Sequence, residues 1–213
     1  DHQRIRLGGE AVLKNYDETP NQSSIDWRQW MATLSYRLHL TSAHYADLSY
    51  AVGRRHYAEE LASLSTGTEV GDNPTENHRY RELALRTAST FGGGLSVELR
   101  YVRSAKDDLF QGYESRRTRG VEAAVGLLAT RRLELRLGGR RAWRDYDRMK
   151  GDGGRRLFYT TDEIGFSARL HLVAALNLFG SVGRYQRHTN KTTGSSYRNY
   201  DGTRTQMGMS FFL

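Results

Sequence analysis

The sequence lacks several features that would place it in a common class of proteins. It has no cysteine, which excludes a disulfide framework, a thiolate metal site and a cysteine nucleophile. It has only 2 prolines against 22 glycines, and 13 tyrosines against 3 tryptophans. It also contains no run of about 18 apolar residues, which a transmembrane helix would need. The composition therefore favours strands and turns over helices.

The positive charge of the chain is dispersed. The formal net charge is +8, but the arginines are scattered along the whole sequence and often stand next to Asp or Glu. Because nucleic-acid-binding proteins usually gather their basic residues in a patch or run, we expect no nucleic-acid partner. A length of 213 residues suits one domain spanning 1–213. The opening DHQRIRLGGE is typical of a mature chain from which a signal peptide has been removed.

Apolar and polar residues alternate with period two along most of the chain. Leu133, Leu135 and Leu137, for example, alternate with Glu134 and Arg136. On a strand each set lies on one face, whereas a helix would spread the charges around its axis. The alternation predicts ten strands, at 4–14, 27–40, 44–57, 79–91, 94–104, 117–129, 132–146, 157–172, 175–188 and 200–213.

The predicted connections alternate in length. Tight turns are expected near 41–43, 92–94, 130–132 and 173–174. Longer polar loops are expected at 15–26, 58–78, 105–116, 147–156 and 189–199. Short turns at one end and long loops at the other are typical of outer-membrane β-barrels, with both chain termini at the periplasmic end.

The composition of the two faces predicts which one points inward. The apolar faces supply more side chains than the lumen of a small barrel can hold. The other face carries so many charges that a dry core could not accept them, at several kcal/mol of desolvation each. The predicted fold is therefore all-β, an antiparallel up-and-down transmembrane β-barrel of about ten strands with a water-containing lumen. The candidate residues that line this lumen or bind a solute are Arg37, Arg55, Arg86, Glu98, Arg100, Glu122, Glu134, Arg136, Arg140 and Arg169.

Aromatic residues cluster near the predicted strand ends, which indicates two interfacial girdles facing the membrane. The girdle at the short-turn end would contain Phe91, Phe211 and Phe212. The girdle at the long-loop end would contain Tyr16, Trp27, Tyr57, Tyr80, Tyr113, Trp143, Tyr146, Tyr159, Tyr185, Tyr197 and Tyr200.

The last eight residues, Gln206-Met-Gly-Met-Ser-Phe-Phe-Leu213, resemble the terminal assembly signal of bacterial outer-membrane barrels. Gly208, Phe211 and Leu213 match the glycine and the two apolar positions of that signal. The resemblance implies an integral outer-membrane protein that contacts outer-membrane lipid and lipopolysaccharide. It also implies that the barrel-assembly machinery is a partner during biogenesis. More broadly, the strand pattern is similar to that of small porin-like barrels.

Three functions are compatible with these patterns. The first is a narrow channel or export component whose mixed-charge lumen slightly favours anions, with acidic saccharides as candidate solutes. The second is a structural or anchoring barrel with a plugged lumen, whose long loops contact other envelope proteins. The third is a membrane-embedded hydrolase built from Asp107, Asp108 and His188.

The first two functions rank above the hydrolase, so we expect no enzyme activity, and no catalytic residue is assigned. His39 and His171 are interpreted as packed lumen residues rather than metal ligands. The sequence contains no phosphate loop or dinucleotide fingerprint, so we expect neither a cofactor nor a metal.

Overall fold

β-Strands make up most of the part of the chain that the structure describes. The computed structural model describes residues 3–14, 27–62, 64, 66–173, 176–191 and 199–211. The strands are β1 (Gln3–Lys14), β2 (Trp27–His39), β3 (His44–Leu61), β4 (Thr75–Thr90), β5 (Leu95–Asp108), β6 (Arg116–Leu128), β7 (Leu133–Lys150), β8 (Arg156–Val173), β9 (Leu176–Thr189) and β10 (Tyr200–Phe211). No helix in these residues is long and apolar enough to cross a membrane.

All ten strands lie in one sheet in chain order, and each strand pairs antiparallel with the next. This arrangement is an up-and-down meander, as the alternation predicted. The number of strands and their order are therefore confirmed.

Several strands continue past the predicted ends on the long-loop side. The expected loops at 58–78, 105–116 and 147–156 shrink to 62–74, 109–115 and 151–155. The prediction ended these strands too early because both faces are polar there, and polar residues give no apolar alternation to follow. A strand needs about 9–11 residues to cross a bilayer, so the 18-residue strands β3, β7 and β8 rise well above it.

The short turns are formed as expected where the structure describes them. In the turn between β4 and β5, Gly93 and Gly94 have φ of 74° and 78°, a region that favours glycine. A Cβ at Gly94 would also lie 2.8 Å from the Cβ of Leu128. In the turn between β6 and β7, the hydroxyl of Thr130 accepts hydrogen bonds from the N–H groups of Arg132 and Leu133. The loop 15–26, most of the loop 189–199 and part of the turn 173–174 lie outside the described residues.

The strand register separates an apolar face from a charged face. Leu135, Val97, Phe166 and Met209 share the apolar face, which we call the outer face. Arg136, Glu98, Arg169 and Gln206 share the charged face, which we call the inner face. Large apolar side chains on the outer face remain exposed to an extent that soluble monomers avoid, including Leu34, Leu85, Leu99, Leu137, Ile164 and Val182. The separation of the two faces matches the sequence prediction.

The long-loop end contains a small apolar core. Leu157 is fully buried, and it packs with Tyr146, Met149 and Tyr159, while the partly buried Tyr113 covers the cluster. Tyr146 and Tyr159 lie on the inner face of neighbouring strands. These side chains therefore cover part of the inner face at this end.

We expect the Leu157→Ala variant to be destabilised by about 2–5 kcal/mol, because it leaves a cavity among side chains that hold one another in place. Urea unfolding of the refolded protein in detergent micelles would measure the loss. Leu137→Ala is the matched control, since Leu137 lies on the exposed outer face. Equal losses for the two variants would show that the cluster does not stabilise the long-loop end.

Candidate functional site

The strand register aligns charged residues across the inner face. Arg4, Arg37, Asp47, Arg86, Arg100, Glu122, Arg140 and Glu163 follow one another as directly opposed residues from β1 to β8. We call this set the charge row. It contains five arginines and three carboxylates, so it has a cationic surplus of two (5 − 3).

Bidentate ion pairs order the β2–β5 side of the charge row. The guanidinium of Arg37 donates from Nε and Nη2 to the two Asp47 carboxylate oxygens, at 2.6 and 2.8 Å. Arg86 donates to both oxygens of Glu98, at 2.9 Å each. Two parallel bonds fix the planar guanidinium in one orientation. Arg136 reaches Glu98 as well, at 3.3 Å.

Longer ion pairs connect the centre of the inner face. Arg100 lies 3.4 Å from Glu122 and 3.5 Å from Glu82, and Arg140 lies 3.4 Å from Glu122. Nearer the short turns, Arg169 lies 3.7 Å from Glu134. Since these side chains are partly exposed, each pair contributes only about 0–1 kcal/mol to stability. The ion pairs therefore position charge on the inner face more than they stabilise the sheet.

Nine of the ten predicted lumen residues take part in these ion pairs, and Arg55 lies apart at the long-loop end. The prediction missed Arg4, Glu163 and Arg204. Each of the three lies on the same strand face as another polar residue: Arg4 with Arg6, Glu163 with Arg169, and Arg204 with Gln206. Extending the period-two pattern along these strands would therefore have found all three. Across the sheet, Arg204 pairs with Gly183.

A cavity of about 710 Å³ opens on the inner face beside the charge row. Its lining includes Glu98, Glu122, Arg136, Arg140, Glu163 and Arg204. The cavity has room because Gly138, Gly165 and Gly183 oppose one another on β7, β8 and β9, so three adjacent inner positions carry no side chain. We call these three residues the glycine row.

A second cavity, of about 200 Å³, is more strongly cationic. Its charged lining consists of Arg4, Arg6, Arg37, Arg86 and Arg100 against a single carboxylate, Asp47. An anion entering this cavity would meet several guanidinium groups within a small volume. The second cavity is therefore cationic, whereas the charged residues named for the first cavity balance three arginines against three carboxylates.

Aromatic and arginine side chains surround the inner face at the long-loop end. The Arg55 guanidinium lies 4.1 Å from the centre of the Trp27 ring and 5.5 Å from that of Tyr80. Arg187 lies 4.4 Å from the Tyr200 ring and 5.1 Å from the Tyr159 ring. The collar, as we call it, comprises Trp27, Arg55, Tyr80, Arg116, Tyr146, Tyr159, Arg187 and Tyr200.

The collar corrects the predicted girdle at the long-loop end. The register places most of those aromatic residues on the inner face, where they cannot contact lipid: Trp27, Tyr57, Tyr80, Tyr146, Tyr159, Tyr185 and Tyr200. Trp143 occupies an outer-face position of β7, and Tyr113 packs against the buried cluster. The prediction was wrong because it grouped the aromatic residues by their nearness to the strand ends. It did not use the period-two alternation to assign each residue to the outer or the inner face. Tyr16 and Tyr197 lie outside the described residues.

The hydrolase residues are not assembled into a site. Asp107 and Asp108 end β5, whereas His188 lies on β9, four strands away in the sheet. Arg81 and Arg117 bind the Asp107 carboxylate at 2.7 and 2.6 Å. The Asp108 carboxylate accepts backbone N–H groups of its own loop.

The two lumen histidines are packed against neighbours. The His39 ring lies 5.9 Å from the Tyr45 ring, and Nδ1 of His171 contacts the Asn177 side chain. Neither belongs to a cluster of potential metal ligands in the described part of the chain.

The assembly-signal residues lie at the end of β10. A Cβ at Gly208 would lie 2.5 Å from the ring of Phe179, so the glycine makes room for that aromatic side chain. Phe211 closes the strand, and Leu213 lies outside the described residues.

An antiparallel meander with an exposed apolar outer face and a charged inner face is the architecture of outer-membrane β-barrels. Solved structures of this class match the chain. It is similar to the outer-membrane-expressed OmpT of Vibrio cholerae, with a TM-score of 0.62 and 10% sequence identity over 95% of this chain and 64% of that one. It is also similar to the copper transporter OprC, with a TM-score of 0.53 and 11% identity over 97% of this chain and 38% of that one.

The chain therefore has the fold of integral bacterial outer-membrane β-barrels, as the sequence predicted. It spans less than two thirds of the length of each of these solved proteins. No protein-family profile matches the chain, and no curated protein matches it.

Proposed function

We propose that this chain forms a narrow outer-membrane channel, or the channel of an export system, for small or extended anions such as acidic saccharides. The observation that carries the proposal is the charge row, whose arginines outnumber its carboxylates. Four of these arginines line the second cavity, and Arg140 lines the first. Ion pairs between neighbouring strands hold the side chains of the charge row in place, while the glycine row leaves space beside them. Fixed cationic groups along a confined aqueous path favour anions over cations.

The collar supports a narrow path rather than an open pore. Its aromatic rings and the buried cluster occupy part of the inner face at the long-loop end. An extended anionic chain would fit this lining, since arginines can bind its charged groups and aromatic rings can stack on flat apolar faces of sugars. We therefore expect a small conductance.

Filling the space beside the glycine row should reduce that conductance. In the Gly165→Phe variant a Cβ would make ordinary contacts, 3.5 Å from the Val182 carbonyl oxygen, while the ring would enter the cavity. We expect single-channel conductance in planar bilayers to fall at least severalfold. Gly180→Phe is the matched control, because Gly180 lies on the outer face of β9 with open space around it. Equal conductance of the two variants would show that ions do not pass the glycine row.

Ion selectivity provides a second readout on the same bilayers. The unmodified protein should prefer chloride over potassium in a salt gradient, and the double variant Arg100→Gln, Arg136→Gln should shift the reversal potential toward zero. A large cation-selective conductance would contradict the inner-face assignment.

The alternative function is an anchoring barrel without a continuous path. The observation that favours it is the ion-pair network, which cross-links neighbouring strands across the inner face. Absent conductance in both the unmodified protein and the Gly165→Phe variant, together with correct folding, would favour this role.

A further inference from the structure

A buried histidine at the long-loop end has no hydrogen-bond partner. His78 on β4 is fully buried, and both of its ring nitrogens are without a partner among the described residues. The rings of Tyr57 and Tyr80 approach the imidazole edge-on, with centroids at 5.5 and 6.3 Å. A buried polar group without a hydrogen-bond partner destabilises the folded state, so this burial needs a physical reason.

Two carboxylates converge on the same imidazole. Nε2 of His78 lies 3.7 Å from Oε1 of Glu76 and 3.8 Å from Oε2 of Glu114, and one donor atom from each residue lies within 4.8 Å of the others. Glu76 is buried like His78, and Glu114 is half-buried. In a tetrahedral zinc site with bonds of 2.0–2.1 Å, ligand atoms are about 3.4 Å apart, close to the two distances from Nε2 of His78 to the carboxylate oxygens.

The cluster lies beyond the part of the strands that crosses the bilayer. His78 is twelve positions (90 − 78) from the end of β4 at the short turn, and a transmembrane strand uses about 9–11 residues. The imidazole nitrogen of histidine is the commonest protein ligand of transition metals.

We propose that Glu76, His78 and Glu114 bind a divalent transition-metal ion, with zinc as the best fit to one imidazole nitrogen and two carboxylate oxygens. A metal ion would use the unpartnered nitrogen and offset the two negative charges. Calcium is a poor fit, because it takes six to eight oxygen ligands. The site is independent of the proposed channel, since it lies on the long-loop side of the charge row.

Lys106 is the residue that competes with the metal. Its ammonium group donates to Oε2 of Glu114, and the side chain is itself buried. A metal ion must displace this ammonium or share Glu114 with it. The Lys106 ammonium and a metal ion therefore compete for the Glu114 carboxylate. Removing the ammonium should strengthen metal binding, which a cluster with a purely structural role would not show.

The experiment is isothermal titration calorimetry with zinc chloride on the refolded, chelator-treated protein in detergent. We expect one ion per chain, at least a tenfold weaker affinity for His78→Gln, and a severalfold to tenfold tighter affinity for Lys106→Met. His56→Gln is the control, because His56 lies on the outer face of the sheet, whereas His78 lies on the inner face. His56 is paired there with Asn77. Calcium chloride should give no comparable binding.

Several results would overturn the proposal. Zinc binding that is absent, or equal in His78→Gln and His56→Gln, would reduce the cluster to a packed histidine flanked by an ion pair. Weaker binding by Lys106→Met would show that the ammonium does not compete. Circular dichroism and altered migration on unheated gels would confirm folding, and Glu114→Gln replaces His78→Gln if the latter does not fold.

Discussion

The Val182→Arg variant should lose about 2–4 kcal/mol of unfolding free energy in phospholipid vesicles, because it places a guanidinium in the hydrocarbon region. Val182 lies on the outer face near the middle of β9, is 47% exposed, and stands opposite Phe166. Lipid replaces water at such a surface only when the chain spans a bilayer. Urea titration of vesicle-inserted protein would measure the change.

The neighbouring residue provides the matched control for this experiment. Ser181 points to the inner face and is opposed by Ser167 and Gln206, so the Ser181→Arg variant adds the same group beside polar neighbours. We expect it to change the unfolding free energy by less than about 1 kcal/mol, because the inner face is wet. Similar losses for both variants would mean that the two faces do not differ in solvent, and the membrane assignment would fail.

The second large effect concerns the edges of the sheet. In the part of the chain that the structure describes, β1 and β10 each pair with only one strand, and their outward residues Leu7 and Met207 are 82% and 81% exposed. A strand edge in hydrocarbon leaves backbone groups without partners, at several kcal/mol each. We therefore expect β1 and β10 to pair with each other in the membrane.

Cysteine cross-linking tests this closure directly, since the chain has no cysteine of its own. Pairs of cysteines would be introduced at outward positions of the two strands: Ile5, Leu7, Gly9, Ala11 and Leu13 with Asp201, Thr203, Thr205, Met207 and Met209. In an antiparallel pair, opposed residues have a constant sum of residue numbers, so one series of pairs should oxidise nearly completely and the others weakly. Cross-links that form only between separate chains would show that each edge pairs with a strand from another copy.

The sequence predicted the ten strands because lipid and water impose opposite demands on neighbouring residues. Leu133 to Leu137 shows this alternation fully, and its register in the sheet agrees with it. The strand ends on the long-loop side were missed because residues there are polar on both faces, as Lys106, Asp107 and Asp108 are at the end of β5. Above the bilayer the selection for apolar outer residues disappears, and the pattern disappears with it.

The candidate site was predicted only in part for a different reason. Alternation assigns Arg100 or Glu122 to the inner face, but it does not say which residue lies opposite which. The charge row depends on the register of seven strand pairs, and turn geometry sets that register. The glycine row and the cluster around His78 likewise combine residues from separate strands. Neither set produces a pattern within a single stretch of the sequence.

The extension of β3, β7 and β8 beyond the bilayer has a consequence for the response to salt. Where lipid lies behind the wall, mobile ions can approach the charge row from the lumen side alone. The upper wall, with Arg116 and Tyr146 of the collar, has water on both sides. At 0.15 M ionic strength charges in water are screened beyond about 8 Å, whereas those backed by lipid are screened much less. Added salt should therefore weaken attraction of solutes to the mouth while leaving the charge preference of the deeper path largely intact.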